Sequence, residues 1–384
     1  MAHVVFVGLG FGGLYTLRHL VADVPDGTRI TAIDRRNRFV FTPLLYEYLA
    51  DELDRDVVAP TFASLVPEDA VDLLRAEVAA VDVDARQVHL RDGSSIAYDV
   101  LVLAPGSVPA FHGIEGAEEH AIPFYSFEDA ERLKTTLQVR SWARGEQPAC
   151  VVGGGVVGIE LAFALAELLE REGIEAGGRR VVVLEAMEDI LRGMSEPLRR
   201  MVRRKLERAG IEVRCSVRVL DVEEGAVVFQ NGGRERFEAA VTAGILPNPL
   251  LDTIPAERHG RHGIRVERSL QLPGHPEVFV LGDAISYPGR PVGAPLPDTA
   301  QAAFQQSEVA ARNIRRWLDN GVPKEAYEYG HLGDFLRTGT KEAVADIRGV
   351  VIDGGAAALA RRAAYLFRMP DWAIRTTAIR QWLS

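Results

Sequence analysis

Two stretches of the chain carry the same pattern, and that pattern leaves few folds open. Val4-Val5-Phe6-Val7 is an apolar, β-branched-rich run that ends in Gly8-Leu9-Gly10-Phe11-Gly12-Gly13 and gives way to a helical pattern. Cys150-Val151-Val152 ends in Gly153-Gly154-Gly155-Val156-Val157-Gly158 and gives way likewise. A strand that turns tightly into a helix leaves the first N–H groups of the helix unpaired and aimed one way. The helix dipole adds partial positive charge there, so each turn is an anion site. Gly8 permits the turn, Gly10 clears the side chain from where a pyrophosphate must approach, and Gly13 lets helix and strand pack closely. Gly153, Gly155 and Gly158 repeat those three places. The next strands, Arg29 to Ile33 and Arg180 to Leu184, end at Asp34 and Glu185, acids placed where a ribose hydroxyl pair needs an acceptor.

The repetition extends further. Val88-His89-Leu90-Arg91-Asp92-Gly93 and Val227-Val228-Phe229-Gln230-Asn231-Gly232 are alternating stretches with a hairpin signal. Each leads to an apolar strand closed by small residues: Leu101-Val102-Leu103-Ala104-Pro105-Gly106, then Ala240-Val241-Thr242-Ala243-Gly244. The expected fold class is α/β, with two Rossmann-like dinucleotide-binding domains and a small C-terminal α+β region. Residues 1–112 and 246–330 are expected to form one discontinuous domain, 113–245 the second, and 331–384 the C-terminal region.

At 384 residues, with 47% apolar and 26% charged side chains, the chain can bury full cores. A net charge of −10 argues against nucleic acid as the partner. Cys150 and Cys215 sit among strand-like residues and read as structural thiols in a reducing compartment. His259 and His262 lie in a Gly/Arg loop without further ligands nearby, so no metal site is expected. The N-terminus runs straight into a strand, and no signal peptide is expected. No apolar run approaches the roughly 20 residues that cross a bilayer.

Thr42-Pro43 is expected to start a helix, since proline fixes φ and discourages helix before it. A helix Val157–Arg171 leads to a glycine-rich, solvated loop at Glu172–Gly178, and Pro197–Ala209 is a basic helix. Val278–Leu281 is a buried strand ending in the acid of Gly282-Asp283-Ala284, and Pro297-Asp298-Thr299 opens a helix Thr299–Leu318. That helix starts with small and amide-bearing residues, and its N-terminus can aim positive potential at a ligand. The C-terminal segment reads as a small β or mixed part, His331–Val351, and two short helices broken at Pro370. There Tyr365, Leu366, Phe367, Trp372, Ile379, Trp382 and Leu383 mix with Arg361, Arg362, Arg368, Arg375 and Arg380. Two readings fit this tail: an amphipathic segment at a lipid headgroup interface, or a cap docked on the protein's own core or on a second subunit.

With these residues in view, the chain resembles the two-dinucleotide-binding flavoproteins and, among them, the type II NADH:quinone oxidoreductases, over nearly its whole length. The first glycine turn with Asp34 resembles the FAD site, and Phe41-Thr42-Pro43-Leu44-Leu45 the segment passing along the flavin. Ala104-Pro105-Gly106 stands at the family's small-residue turn, and Leu281-Gly282-Asp283-Ala284 matches its second FAD signature, with Asp283 on the ribityl chain. The second turn, with Glu185 and with Gly244 closing that unit, resembles the NADH site. Ala300-Gln301-Ala302-Ala303-Phe304-Gln305 matches the AQxAxQ pattern, which in the family lies beside the flavin where quinone docks. The chain departs at Tyr46, where many members have proline, and at Pro105, which replaces a threonine; both leave the acceptor open.

The resemblance implies hydride transfer from NADH to FAD and two electrons onward to a membrane quinone, without proton pumping. A carboxylate at Glu185 suits the ribose hydroxyls of NADH and repels the extra phosphate of NADPH. Glu160 resembles a family carboxylate near nicotinamide and quinone; a solvent-facing helix glutamate is its other reading. Gln301 and Gln305 suit a quinone carbonyl or plain helix packing, and Lys341 a polar group at the quinone end or an exposed lysine. A cytoplasmic protein, peripheral on the inner face of the cell membrane and open to homodimerisation, is the corresponding expectation. Sulfide:quinone and disulfide reductases need paired redox cysteines that this chain lacks. The remaining alternatives are a soluble NADH-dependent reductase of a small redox protein and a slow-turnover, flavin-bound NADH sensor.

Overall fold

The computed structural model describes residues 2–139, 147–171, 181–259, 262–287, 299–323 and 325–383. The loop Glu172–Gly178, the Pro297-Asp298 helix opening and the residues between His259 and His262 lie outside them. The chain forms two compact units: Met1–Val40, Ala59–Val108 and Leu246–Gly330 make the first, and Phe41–Val58, Pro109–Ile245 and His331–Ser384 the second.

In the first unit a six-stranded sheet runs in the order Gln271–Leu272, His275–Val280, Val100–Leu103, His3–Val7, Arg29–Asp34, Asp72–Arg75. Neighbours from His275–Val280 to Asp72–Arg75 are parallel. A parallel sheet is covered on both faces, which is why its strands are unbroken apolar runs: Val4 to Phe6 and Leu101 to Leu103 are wholly buried. An antiparallel meander, Val78–Asp82, Gln87–Leu90 and Ser95–Ala97, confirms the first hairpin signal. The helices Phe11–Val21 and Ala300–Asn320 meet through Tyr15 and Phe304, whose ring centroids are 4.8 Å apart. Thr299 caps the second of these, its hydroxyl oxygen accepting from the Ala302 N–H at 3.3 Å.

The second unit repeats the plan. Its five-stranded parallel sheet runs Glu212–Arg214, Val181–Leu184, Ala149–Val152, Ala239–Thr242, Ala121–Pro123. The meander Val219–Glu223, Ala226–Phe229, Arg234–Arg236 matches the one in the first unit. The apolar helix Val156–Arg171 covers the sheet and the basic helix Glu196–Arg208 follows. A three-stranded antiparallel sheet, Asp334–Gly339, Glu342–Ile347 and Val350–Asp353, is followed by helices Gly354–Arg368 and Trp372–Leu383, broken around Pro370.

These units place 109–112 with the second, a shift of four residues, and differ from the expected boundaries in two larger ways. Residues 41–58 cluster with the second unit, and 331–384 belong to it instead of forming a region of their own. Buried ion pairs explain both: Arg361 with Glu47, Arg337 with Glu52, and Arg362 with Glu52 at 3.0 Å. Ser195 and Lys205 add bonds to Asp346 (2.6 Å) and Asp353 (2.9 Å). Such partners are remote in sequence and leave no local pattern.

The glycines divide into two kinds. A Cβ at Gly158 would fall 1.9 Å from the Gly153 carbonyl oxygen, whereas one at Gly155 would meet nothing within 4 Å. Gly158→Ala is therefore expected to lower the thermal midpoint by about 5 °C or more, and Gly155→Ala to leave it within about 2 °C, measured by differential scanning calorimetry of ligand-free protein.

Candidate functional site

Three neighbouring strands of the first sheet end together and bring three of the expected segments to its carboxyl edge, the edge where open α/β sheets bind ligands. Gly8 takes φ +88°, and a Cβ there would lie 2.2 Å from the Ala104 carbonyl oxygen. Gly13 packs against Gly8 in the same way, at 1.9 Å, while Gly10 faces open space. Gly106 and Gly282 also have positive φ, 66° and 71°, so each turn needs glycine. The Gly282 N–H donates to Gln306 Oε1 at 2.6 Å, and Ser107 Oγ donates to Asp283 at 2.9 Å. Gln306, one residue past the AQxAxQ pattern and buried, was not singled out by sequence. Asp34 accepts from the Leu9 and Arg36 N–H groups, both at 2.9 Å, and so fixes the glycine turn.

The second unit builds the same cradle. Gly153 has φ +117° and Gly155 stands clear. Glu185 accepts from Gly154 and Met187 N–H groups, each at 2.7 Å, as Asp34 does in its own unit. A Cβ at Gly244 would meet His112 Nε2 at 2.3 Å. Each cradle thus has an open glycine beside a helix start and an acid at the neighbouring strand end. Both fit the pyrophosphate and ribose of a dinucleotide.

The remaining expected residues fare differently. Ala300 begins its helix, and the Tyr329 hydroxyl donates to Gln301 Oε1 at 3.2 Å. Gln305 holds the Gly330 backbone at both ends of its amide, donating at 2.7 Å and accepting at 2.9 Å, which is the packing role. Thr42 and Pro43 form the short 3₁₀ turn Thr42–Leu44 in the second unit, where the Pro43 carbonyl accepts from Arg361 at 2.9 Å. Lys341 stands exposed at a hairpin turn.

Glu160 is not a surface glutamate. It is 4% exposed and lies in a cluster of ionised groups within the second unit. Its Oε1 accepts the Arg337 N–H at 2.7 Å, and Arg361 Nη2 stands 3.7 Å away. Arg361 makes its contact ion pair with Glu47, and Arg337 binds Glu52 and Glu167. Burial is the largest influence on Glu160 and pushes its carboxyl up to about 7 against the pull of Arg361. Burial likewise raises Tyr46, and Tyr365 to about 12. Of the two readings of the tail, Arg361 and Arg362 follow the docked one, since both turn inward to pair with Glu47 and Glu52. Glu47 and Arg337 were missed, since nothing local marks a residue whose partner is over 170 positions away.

The two cradles define a protein that binds two dinucleotides, and comparison with known proteins makes this specific. The sequence profile of the family described as pyridine nucleotide-disulphide oxidoreductase matches residues 2–307. The demethylphylloquinone reductase NdbB of Synechocystis is 33% identical over 99% of this chain and 95% of its own. A type II NADH:quinone oxidoreductase of Staphylococcus aureus is 28% identical over 94% of this chain and 93% of its own. The structure of NDH2 from Plasmodium falciparum in complex with NADH superposes with a TM-score of 0.84 at 16% identity, over 100% of this chain and 97% of that one. The chain belongs to the pyridine nucleotide-disulphide oxidoreductase family and, within it, to the type II NADH:quinone oxidoreductases. FAD and NADH are the cofactors of this group, and the cradles fit them. Despite the family's name, Cys150 and Cys215 are both free.

Removing the Arg337 guanidinium would leave Glu52 and Glu167 buried beside one fewer cation. Arg337→Met is expected to destabilise the fold by about 3–5 kcal/mol, read as a lower urea midpoint with an unchanged slope.

Proposed function

We propose that the first cradle holds FAD through Gly8, Gly10, Gly13, Asp34, Ala104, Gly106, Gly282 and Asp283. The second holds NADH through Gly153, Gly155, Gly158, Glu185 and Gly244. The chain is an oxidoreductase that takes electrons from NADH and passes them to a quinone. FAD, when bound, supplies the hydride acceptance and the onward two-electron delivery. The protein's own part is to orient both dinucleotides, hold the acceptor and provide a proton. Quinone as the acceptor is supported by the activities named for NdbB and for the S. aureus relative.

The observation that carries the proton role is the burial of Glu160 with its carboxyl raised to about 7. A group poised there is about half protonated at neutral pH and can both give up and regain its proton readily. Gln301, whose Oε1 accepts from Tyr329, is the amide whose Nε2 would donate to a quinone carbonyl, and Ala300 leaves room for it at the helix start. Gln305 supports this from behind by fixing Gly330. Lys341, exposed, would act as a remote positive charge.

We place the protein at a membrane surface, on its cytoplasmic side, through the C-terminal helices. Among the described residues no helix is long and apolar enough to cross a membrane. Phe367, Trp372 and Leu383 are nonetheless 80%, 72% and 82% exposed, with Leu359 at 70%. So much apolar surface on two short helices, with Arg380 among them, suits insertion among headgroups. A homodimer through the same face is the second reading, favoured by the same exposure.

Two expected outcomes test these proposals. If Glu160 gives its proton in the acid form, quinone reduction falls as pH rises through about 7, because the protonated fraction is then lost. Glu160→Gln removes that limb and slows quinone reduction by about a hundredfold, while stopped-flow reduction by NADH alone stays near wild type. The triple variant Phe367→Ser, Trp372→Ser, Leu383→Ser should lose flotation with anionic liposomes and keep NADH oxidation by a water-soluble quinone. Flotation equal to wild type would remove the membrane reading, and a dimer-to-monomer change in light scattering would support the second one.

A further inference from the structure

The buried cluster has an odd charge count. Four carboxylates, Glu47, Glu52, Glu160 and Glu167, meet three guanidiniums, Arg337, Arg361 and Arg362. Glu52 is held by two of these, Arg337 and Arg362. Glu167 shares Arg337, is the most exposed of the four, and also accepts from the Thr340 hydroxyl at 3.0 Å. Glu47 has Arg361 at contact distance. Among the described residues, Glu160 alone of the four has no guanidinium in contact: Arg361 reaches it only to 3.7 Å, and its hydrogen bond comes from a backbone N–H.

Arg361 cannot serve both acids equally. Nη1 goes to Glu47 and Nη2 to the Pro43 carbonyl at 2.9 Å, while the guanidinium lies over the Tyr365 ring, its carbon 4.6 Å from the centroid. The other Glu47 oxygen, Oε2, is buried with no hydrogen-bond partner, so this acid is held by Arg361 above all. We propose that Glu47 is a positioning residue for proton delivery: by keeping the Arg361 guanidinium to itself, it leaves Glu160 as the carboxyl that carries the cluster's odd proton. This rests on the reading of Glu160 as the proton donor.

The groups facing Glu160 are Tyr46 and Glu47 from residues 41–58, Arg337 from the Asp334–Gly339 strand, and Arg361 and Tyr365 from the Gly354–Arg368 helix. Glu52, Glu167 and Arg362 complete the cluster beyond Arg337, with Arg171 reaching Thr340 at 3.5 Å on its outer side. Both tyrosines have their hydroxyls raised, so they stay neutral. Burial raises the Glu160 carboxyl first; Arg361 and the Arg337 N–H pull it down, and Glu47 pushes it up, so Arg361 and Glu47 act on it with opposite signs.

The test is infrared spectroscopy of the FAD-loaded protein across pH, following the carboxylic-acid C=O band that Glu160→Gln abolishes. In the wild type this band should vanish with a midpoint near 7. Glu47→Gln evens the count and frees Arg361, so the midpoint should fall by about one pH unit or more. FAD content and thermal midpoint serve as controls for folding. An unmoved midpoint in well-folded Glu47→Gln overturns the proposal. Should that variant fail to fold, Arg361→Gln provides the opposite sign: two acids without their cation should move the midpoint alkaline, and no movement overturns the proposal equally. A band that moves as stated while Glu160→Gln leaves quinone reduction intact upholds the division of charge and overturns the proton-donor reading alone.

Discussion

A tight turn from a parallel strand into a helix, made twice, is the constraint on which the structure depends. Each turn closes only because a glycine lies where any side chain would strike backbone. Gly8 packs against the Ala104 carbonyl and Gly13 against Gly8; Gly158 packs against Gly153. In each unit an acid from the next strand then holds the turn through one of its backbone N–H groups, Leu9 to Asp34 in one and Gly154 to Glu185 in the other, while a second N–H, from Arg36 or Met187, steadies the acid. The acids therefore act on the fold before any ligand arrives. In the proposed binding mode the same carboxylate that fixes the loop receives a ribose, so loop geometry and ligand geometry are specified together.

The second organising element is electrostatic. Burying ions takes them out of water at a cost of several kcal/mol each, which only close pairing offsets. The Glu47, Glu52, Glu160 and Glu167 cluster meets that demand incompletely, and a group left without a contact cation keeps its proton instead. The same pairs fasten residues 41–58 and the C-terminal segment into the second unit. On the proposed role of Glu160, stability and proton chemistry share their residues. A change at Arg337 or Arg361 should register in both.

What could be read from the sequence divides along the same line. The glycine turns, the two acids, the paired meanders and the break at Pro370 depend on residues close together in the chain, and each left a local pattern. The long helix from Val156 and the one from Ala300 were legible through composition alone. The cluster around Glu160 was not, because Glu47 and Arg361 are 314 positions apart and an arginine in an amphipathic tail looks the same whether it faces solvent or a buried acid. Gln305 shows the limit from the other side: its motif was visible, but its hydrogen bonds to Gly330 come only with the folded backbone.

The central claim is that this chain carries electrons from NADH through FAD to a quinone. Anaerobic visible spectroscopy of the FAD-loaded protein tests it most directly, with one equivalent of NADH added first and a short-chain quinone second. The account predicts bleaching on NADH and full recolouring within seconds of quinone addition. A spectrum that bleaches and stays bleached with quinone would contradict it and point to another acceptor or to a sensor.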